Sequence, residues 1–324
     1  MQHVTAERVA ALLDYKALIE ALRLAHRRGP PPEVSWKVAT DRDNAANKFV
    51  QLHAWAPGEA IAVKLVGVFP GNLNRSPPEP SIQGLVVLFD GQTGTPLLTA
   101  DGAEMTFRKT AADSALAADY LARRDARVLL VAGAGGLGPH VIAAHLAVRP
   151  SIERVLIWNR TPSRAEALAA RLGPGLDARA VATMEEALPE ADIVSCVTMA
   201  TEPIVRGALL KPGAHVDLIG AYLPEMREAD DDVARRAGKI FFDNRHGIEE
   251  SGEVLEPLAR GLITREGLVA DLFDLCAGHH PGRESEIRIT MYKNCGGAHL
   301  DLFTAQFLRA RLAAGDETGS RTIA

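Results

Sequence analysis

The segment covering residues 128–138 constrains the fold of this chain most, because it joins an apolar run to the spacing G-x-G-x-x-G. In a strand–turn–helix setting, the first glycine permits the tight turn and the second lets the backbone approach a pyrophosphate. The third glycine lets helix and strand pack closely, and the free N–H groups that begin the helix favour an anion. The segment therefore predicts a dinucleotide-binding turn formed by Gly133, Gly135, Gly136, Leu137 and Gly138.

The next apolar run ends at Trp158 and is followed by Asn159, Arg160 and Thr161, with Arg164 further along. A carboxylate at this position would bind the ribose 2′-hydroxyl of NAD and repel a 2′-phosphate. Guanidinium groups instead pair with phosphate. These four residues are predicted to contact the cofactor, with NADP(H) preferred and NAD(H) as the alternative.

From residue 127 onward, apolar runs alternate with helical patterns at short spacing, which is typical of a doubly wound parallel sheet. Thr198 and Met199 follow one of these strands at its carboxyl end, where such sheets meet their ligands. Residues 33–100 instead form strand-like runs separated by Gly, Pro and Asn. We expect an α/β chain with a β-rich domain over residues 1–118, to which residues 298–324 return, and a Rossmann domain over residues 119–297.

The bulk composition excludes several classes of function. A net charge of −5 with mixed signs gives no footprint for nucleic acid or for an anionic membrane. No apolar run approaches the length of a membrane span, and the polar N-terminus shows no secretory signal. The three cysteines are scattered without metal-ligand spacing, so no metal site and a reducing, cytoplasmic location are expected.

Several segments resemble the ornithine cyclodeaminase/μ-crystallin family and stand in that family's order. Lys64 to Asn72 is similar to its K-x-V-x-x-x-P-x-N segment, and Thr106 to Ala115 to its T-x-x-R-T-A-A-x-S-A segment. Further similar segments are Ser81–Asp90, Asn159–Thr161, Gly213–Gly220 and Lys293–Gly296. The resemblance implies an NAD(P)-dependent protein that acts on small amino acids or their imines. It also implies a homodimer joined through the β-rich domain, which would bind the substrate.

The chain departs from the cyclodeaminases of this family at two acidic positions. They carry a Glu shortly before the active-site lysine, where this chain has Val50 to His53, and an Asp where Ala221 and Tyr222 follow Gly220. Cyclodeamination needs a base that moves protons among an α-amine, an imine and a δ-amine. Ketimine reduction needs a hydride, one acid near the imine nitrogen and a cation for the carboxylate. The departures therefore favour a reductase.

Four side chains are predicted to act on the substrate. Lys64, flanked by apolar residues on a strand, is the expected catalytic group, which protonates or orients the imine nitrogen; a surface lysine is the alternative. Lys109 stands at the family's arginine position and is expected to bind the substrate carboxylate, with a salt bridge at the start of a helix as the alternative. Arg108 and His53 are expected to assist in binding, although a structural histidine is the more common case.

The sequence thus predicts an NADPH-dependent oxidoreductase acting on C=N bonds, which reduces pyrroline-2-carboxylate or piperideine-2-carboxylate to L-proline or L-pipecolate. Two alternatives stay open. One is an ornithine cyclodeaminase or amino-acid dehydrogenase of the same family. The other is a non-catalytic, NADPH-dependent binding protein of the μ-crystallin type.

Overall fold

The computed structural model describes residues 1–245 and 247–320. It divides into two compact units, one formed by residues 1–109 with 297–324 and the other by residues 110–296. The division falls inside the helix Gly102–Leu121, and the chain returns to the first unit at Gly297. The domain limits expected from the sequence, 1–118 with 298–324 and 119–297, stay predictions.

The first unit is built on a six-stranded sheet with the order β1-β6-β5-β4-β3-β2. Adjacent strands of this sheet pair antiparallel, except that β1 pairs parallel with β6. Side chains of Thr5 and Asp14 cap the first two helices, as their sequences predict. The elements of this unit are β1 (Gln2–Val4), α1 (Ala6–Leu12), α2 (Tyr15–Arg28), β2 (Glu33–Thr40), β3 (Lys48–Ala56), β4 (Ala60–Val68), β5 (Ile82–Asp90), β6 (Pro96–Asp101), the start of α3 (Gly102–Leu121) and, after the second unit, α10 (Ala298–Ser320).

The two faces of this sheet differ in what covers them. Helix α10 packs on β3, β4 and β5 and also contacts α2. The sheet residues on that inner face are buried, as Ala54, Ala62 and Leu88 show. The opposite, outer face carries the alternate residues of each strand, because successive side chains of a strand point to opposite sides. The inner face therefore forms the core of the first unit.

The second unit is built on an eight-stranded sheet with the order β13-β12-β14-β11-β10-β7-β8-β9. All its pairings are parallel, which confirms the predicted doubly wound class. Strands β10, β11 and β14 are buried at every position, as strands covered on both faces are. The elements are β7 (Val128–Ala132), α4 (Gly138–Val148), β8 (Arg154–Trp158), α5 (Pro162–Arg171), β9 (Asp177–Ala180), α6 (Met184–Ala187), β10 (Ile193–Cys196), β11 (His215–Leu218), α7 (Asp231–Ala237), β12 (Ile240–Phe242), α8 (Gly252–Ala259), β13 (Leu268–Asp271), α9 (Leu272–Ala277) and β14 (Thr290–Lys293).

Two strands of this sheet were not predicted from the sequence. Strand β13 is short, and β14 enters between β11 and β12 although it comes last in the chain. A four-residue strand gives little periodicity of its own, so long-range pairing determines it. Among the described residues, no helix is both long and apolar enough to cross a membrane.

Candidate active site

The glycine turn has the conformation that its spacing predicts. Gly133 has a φ of 117°, a value that residues with a side chain rarely adopt, and a Cβ there would lie 2.9 Å from the carbonyl oxygen of Val197. A Cβ on Gly138 would lie 2.6 Å from the carbonyl oxygen of Gly133, so this glycine permits the close start of α4. Gly135 faces open space, where a Cβ would meet nothing within 4 Å. The turn thus leaves room above its backbone for a bound group.

A cavity of about 580 Å³ opens at the carboxyl ends of β7, β8 and β10. Eight of the predicted cofactor residues line it, namely Gly133, Gly135, Asn159, Arg160, Thr161, Arg164, Thr198 and Met199. The other three residues predicted for the turn do not line the cavity. They are Gly136, Leu137 and Gly138, which lead from the turn into the adjoining helix α4. The cavity lies where a doubly wound sheet binds a nucleotide, and its glycine cradle and bordering arginines fit a nicotinamide dinucleotide.

Asn159 fixes the cavity's wall at the end of β8. Its Oδ1 accepts a hydrogen bond from the backbone N–H of Ala134 at 3.0 Å, and its Nδ2 donates to the carbonyl of Thr161 at 2.9 Å. The amide therefore ties the glycine turn to the start of α5. Arg160 and Arg164 are exposed and form no ion pair with a residue that the structure describes. Both guanidinium groups are accessible to an anionic ligand.

A second cluster of charge lies in the first unit. Lys64 points to the inner face of the sheet, opposite its neighbours in β4, as its apolar flanks predict. Its Nζ lies 3.2 Å from an Oδ2 of Asp301, and Nζ of Lys109 lies 3.0 Å from the same oxygen. Lys109 also donates to the carbonyl of Gly297 at 3.2 Å. Two buried lysine side chains therefore share one buried carboxylate.

Burial determines how Lys64 holds its proton. Desolvation lowers the pKa of its ammonium to about 8, and repulsion by Lys109 acts in the same direction, while attraction by Asp301 opposes both. A lysine with this pKa is protonated at neutral pH and gives up its proton more readily than a surface lysine. The group has the properties of a general acid.

Arg108 is held by other residues of the first unit, and its expected part in substrate binding stays a prediction. Its Nε donates to Glu104 at 2.7 Å and one terminal nitrogen donates to the carbonyl of Leu13 at 2.7 Å. The guanidinium also lies over the ring of Tyr15, 5.0 Å from its centre. The side chain therefore joins α3 to the connection between α1 and α2.

His53 does not accompany Lys64 either. In the pairing of β3 with β4, Leu52 stands opposite Lys64 and His53 stands opposite Val63, so the histidine lies on the outer face. There its Nδ1 is hydrogen-bonded to the hydroxyl of Ser35 at 2.9 Å. The structure thus separates His53 from the lysine cluster by the thickness of the sheet.

Comparison with known proteins identifies the family. The sequence profile of the "Ornithine cyclodeaminase/mu-crystallin family" matches residues 4–316. The chain belongs to this family. The Delta(1)-pyrroline-2-carboxylate reductase of Paracoccus denitrificans is 44% identical over 315 residues, which cover 94% of each chain.

Two solved structures share the whole architecture. The Delta(1)-pyrroline-2-carboxylate reductase of Thermococcus litoralis, in complex with NADH and L-proline, superposes with a TM-score of 0.88 at 28% identity, covering 97% of this chain and 98% of that one. The iminosuccinate reductase of Paracoccus denitrificans, in complex with NAD⁺, gives 0.85 at 27% identity, covering 98% and 97%. These relatives confirm the prediction of a nicotinamide-dependent oxidoreductase acting on C=N bonds.

Sequence reasoning missed the carboxylate at the centre of the lysine cluster. Asp301 lies in the first turn of α10 between Leu300 and Leu302, which are both buried. An acidic residue inside such an apolar stretch is the signal that could have marked it, because an ionised carboxylate is buried only with partners. Among the described residues, no group of three or more His, Cys, Asp or Glu side chains could hold a metal ion.

Replacing Asp301 by Asn should destabilise the protein strongly. The variant leaves two buried ammonium groups without their shared counter-charge, so we expect the free energy of unfolding at pH 7 to fall by about 3 kcal/mol. Urea unfolding measures this loss, and Asp43→Asn on an exposed loop of the same unit is the matched control. A loss equal to that of the control would contradict the ion-pair assignment.

The same deficit should shrink at high pH. Burial holds the folded-state pKa of Lys64 at about 8, below its ordinary value of 10.5, so the unfolded chain holds more protons between these two values and stability rises with pH there. In Asp301→Asn this pKa is expected to fall further. Lys64 is then neutral at about pH 9.5, and the repulsion between the lysines disappears. A deficit that grows with pH would contradict this account.

Proposed function

We propose that this protein is an NADPH-dependent reductase of cyclic ketimine carboxylates, which converts pyrroline-2-carboxylate and piperideine-2-carboxylate to L-proline and L-pipecolate. The observation that carries the proposal is the buried cluster of Lys64, Lys109 and Asp301, in which a lysine with a lowered pKa lies beside a second buried lysine. The Paracoccus and Thermococcus relatives, both named pyrroline-2-carboxylate reductases, support this substrate class.

Lys109 binds the substrate carboxylate. Its ammonium is fully buried and already directed by Asp301 and the carbonyl of Gly297, so it loses little conformational freedom when an anion arrives. An anion that reaches the cluster meets two buried lysine side chains, and a buried charge gains most from a partner. Lysine offers a point charge where the family pattern has a bidentate arginine.

Lys64 supplies the proton that the reaction consumes. Reduction of a C=N bond adds a hydride to carbon and a proton to nitrogen, and the reduced nicotinamide supplies the hydride. The Lys64 ammonium donates its proton to the imine nitrogen, which becomes the ring amine of the product. The neutral lysine then regains a proton from water, and attraction by Asp301 favours that step.

The surroundings of Lys64 favour reduction over cyclodeamination. Its partner across β3 is Leu52, and the next inner-face residue of that strand is Ala54. Neither can accept a proton. The remaining carboxylate beside Lys64, that of Asp301, is paired with two ammonium groups. Reduction needs one proton per turnover, which this arrangement provides.

The first test is oxidation of NADPH by the purified protein with pyrroline-2-carboxylate and with piperideine-2-carboxylate. We expect rapid loss of NADPH absorbance with at least one of them, and the two rates rank the ring sizes. Release of ammonia from ornithine with NAD, without imine reduction, would establish a cyclodeaminase instead. Tight NADPH binding with no turnover of any substrate would establish a binding protein.

Lys64→Met should reduce kcat by a factor of roughly 10² to 10⁴, the usual contribution of a general acid. Lys16→Met at an exposed position of α2 is the matched control and should leave kcat unchanged. Since Lys64 acts in its protonated form, kcat/KM should fall as pH rises through about 8. Full turnover by Lys64→Met, or a profile flat across that pH, would contradict the role.

Arg160 and Arg164 bind the 2′-phosphate that distinguishes NADPH from NADH. The cofactors named for the two solved relatives are NADH and NAD⁺, so this preference depends on the two arginines of this chain. Arg160→Ala with Arg164→Ala should raise KM for NADPH roughly 10- to 100-fold, the scale of a lost charge-assisted hydrogen bond, and leave KM for NADH unchanged. Arg171→Ala at the other end of α5 is the control. Equal effects on both cofactors would contradict the assignment.

A second copy of the chain covers the outer face of the six-stranded sheet. On β4 and β5 this face carries half-buried Ile61, Val63 and Val87, and on β3 Phe49 and Trp55 are each 41% exposed. Polar residues of the same face border this apolar area on β2 and β3, namely Ser35, Lys37, Gln51 and His53. An apolar area bordered by polar residues is typical of a protein interface. The arrangement supports the expected homodimer through the β-rich unit.

Val63→Asp should convert the dimer to a monomer, because it places an unpaired carboxylate at the centre of the apolar face. Sedimentation velocity measures the mass. Ile287→Asp is the control, since Ile287 is 73% exposed and lies on the other unit. A wild-type protein with the mass of one chain would overturn the dimer proposal.

A further inference from the structure

Glu228 is a buried carboxylate that accepts hydrogen bonds from two loops at the carboxyl edge of the parallel sheet. One oxygen accepts from the backbone N–H and the hydroxyl of Thr198, both at 2.7 Å. The other accepts from the backbone N–H groups of Gly220 at 2.8 Å and Ala221 at 3.3 Å. Thr198 follows β10 and Gly220 follows β11, so one side chain joins the ends of two neighbouring strands.

The backbone around Glu228 is itself held on both sides. Its carbonyl accepts hydrogen bonds from the N–H groups of Ile204 and Val205, each at 2.8 Å. Its own N–H and that of Ala229 donate to Oε1 of Glu253, another buried carboxylate. The position of the Glu228 carboxylate is therefore determined by contacts other than those it makes with the two loops.

This arrangement fixes what Thr198 presents to the cavity. Its hydroxyl donates to Glu228 and accepts from the N–H of Ala200 at 3.3 Å, so the hydroxyl proton is not available to a ligand. A Cβ on Gly220 would lie 1.7 Å from the carbonyl oxygen of Thr198, so the two loops are in backbone contact. Thr198 therefore offers its backbone and methyl group to the cavity, in an orientation that Glu228 determines.

The order of the strands shows which half of a dinucleotide lies near this contact. The glycine turn that follows β7 takes the pyrophosphate, and the arginines that follow β8 lie on one side of it. Strands β10 and β11 lie on the other side of β7. The adenosine half of the dinucleotide therefore lies on the β8 side of the glycine turn. The nicotinamide half lies on the β10 side.

We propose that Glu228 is the positioning residue of the nicotinamide half-site, which it forms by holding the loops after β10 and β11 together. The inference relies on the proposed function only for the identity of the ligand as a nicotinamide dinucleotide. Glutamate is required because both its oxygens accept. A glutamine would turn an N–H₂ group toward the N–H groups of one loop, and buried donors without acceptors are costly.

The test compares a whole cofactor with its adenosine half. Wild-type protein is titrated with NADPH, followed by nicotinamide fluorescence, and with adenosine 2′,5′-bisphosphate, followed by calorimetry. For Glu228→Gln we expect the Kd for NADPH to rise roughly tenfold or more, the scale of one lost charge-assisted hydrogen bond. The Kd for the bisphosphate should stay within about twofold of wild type, because that ligand reaches only the arginine side. Glu166→Gln on exposed α5 is the matched control.

Equal affinity of Glu228→Gln and wild type for NADPH would overturn the proposal, and so would equal losses for both ligands, which indicate a general structural effect.

If Glu228→Gln does not fold, Thr198→Val carries the test, because it removes the hydroxyl that donates to Glu228. It should weaken NADPH and spare the bisphosphate, and unchanged NADPH binding would overturn the proposal. If the wild-type protein binds NADH more tightly than NADPH, the titrations use NADH and adenosine 5′-diphosphate instead of NADPH and adenosine 2′,5′-bisphosphate. The titrations contain no imine substrate, so their outcome does not depend on whether the protein reduces imines.

Discussion

The ion cluster on the inner face of the first sheet places a constraint on the whole first unit. Asp301 must meet two lysines that lie far from it in sequence, so the last helix has to return to the sheet with its first turn above Lys64. The start of a helix is where a carboxylate is favoured, because the helix dipole is positive there. With two lysines and one carboxylate, the cluster concentrates buried charge at the point where α10 meets the sheet. Burying these charged groups lowers the free energy of unfolding. The same burial lowers the pKa of Lys64 to about 8.

The second unit uses buried carboxylates differently. Glu228 and Glu253 mainly accept from backbone N–H groups, so they organise loops more than they neutralise charge. Their nearest buried cation, Lys293, donates to the carbonyls of Leu218, Ile219 and Asn294. Burial raises the pKa of Glu228, and burial together with repulsion by Glu228 raises that of Glu253 to about 7. The two acids and the lysine thus form a separate charged core behind the strand ends. In each unit, buried charge fixes the geometry of residues that a ligand would contact.

Local patterns predicted what depends on neighbours in sequence. The glycine spacing, the helix caps and the direction of Lys64 follow from periodicities of a few residues, and the structure has all of them. The surroundings of His53 and Arg108 depend on contacts that these periodicities do not determine. The face on which His53 lies depends on the pairing register of β3 with β4, where a shift by one residue reverses every side chain. Arg108 is occupied by the carbonyl of Leu13, which is 95 residues away in sequence. Long-range contacts of this kind also place Asp301 and Glu228, so composition and spacing could not predict their roles.

The proposed preference for reduction follows from how many groups near the lysine cluster can still exchange protons. A base for cyclodeamination has to take up and release protons at several steps, and it needs access to the amine as well as the imine. On β3, the inner-face residues nearest to Lys64 are the apolar Val50, Leu52 and Ala54, and the segment after β11 has Ala221 rather than an acid. Asp301 is present but balances two ammonium groups. Its carboxylate already contacts both lysines, which opposes its use as a base. Lys64 remains as the group that can transfer a proton without disturbing the others, and a reductase requires one such group.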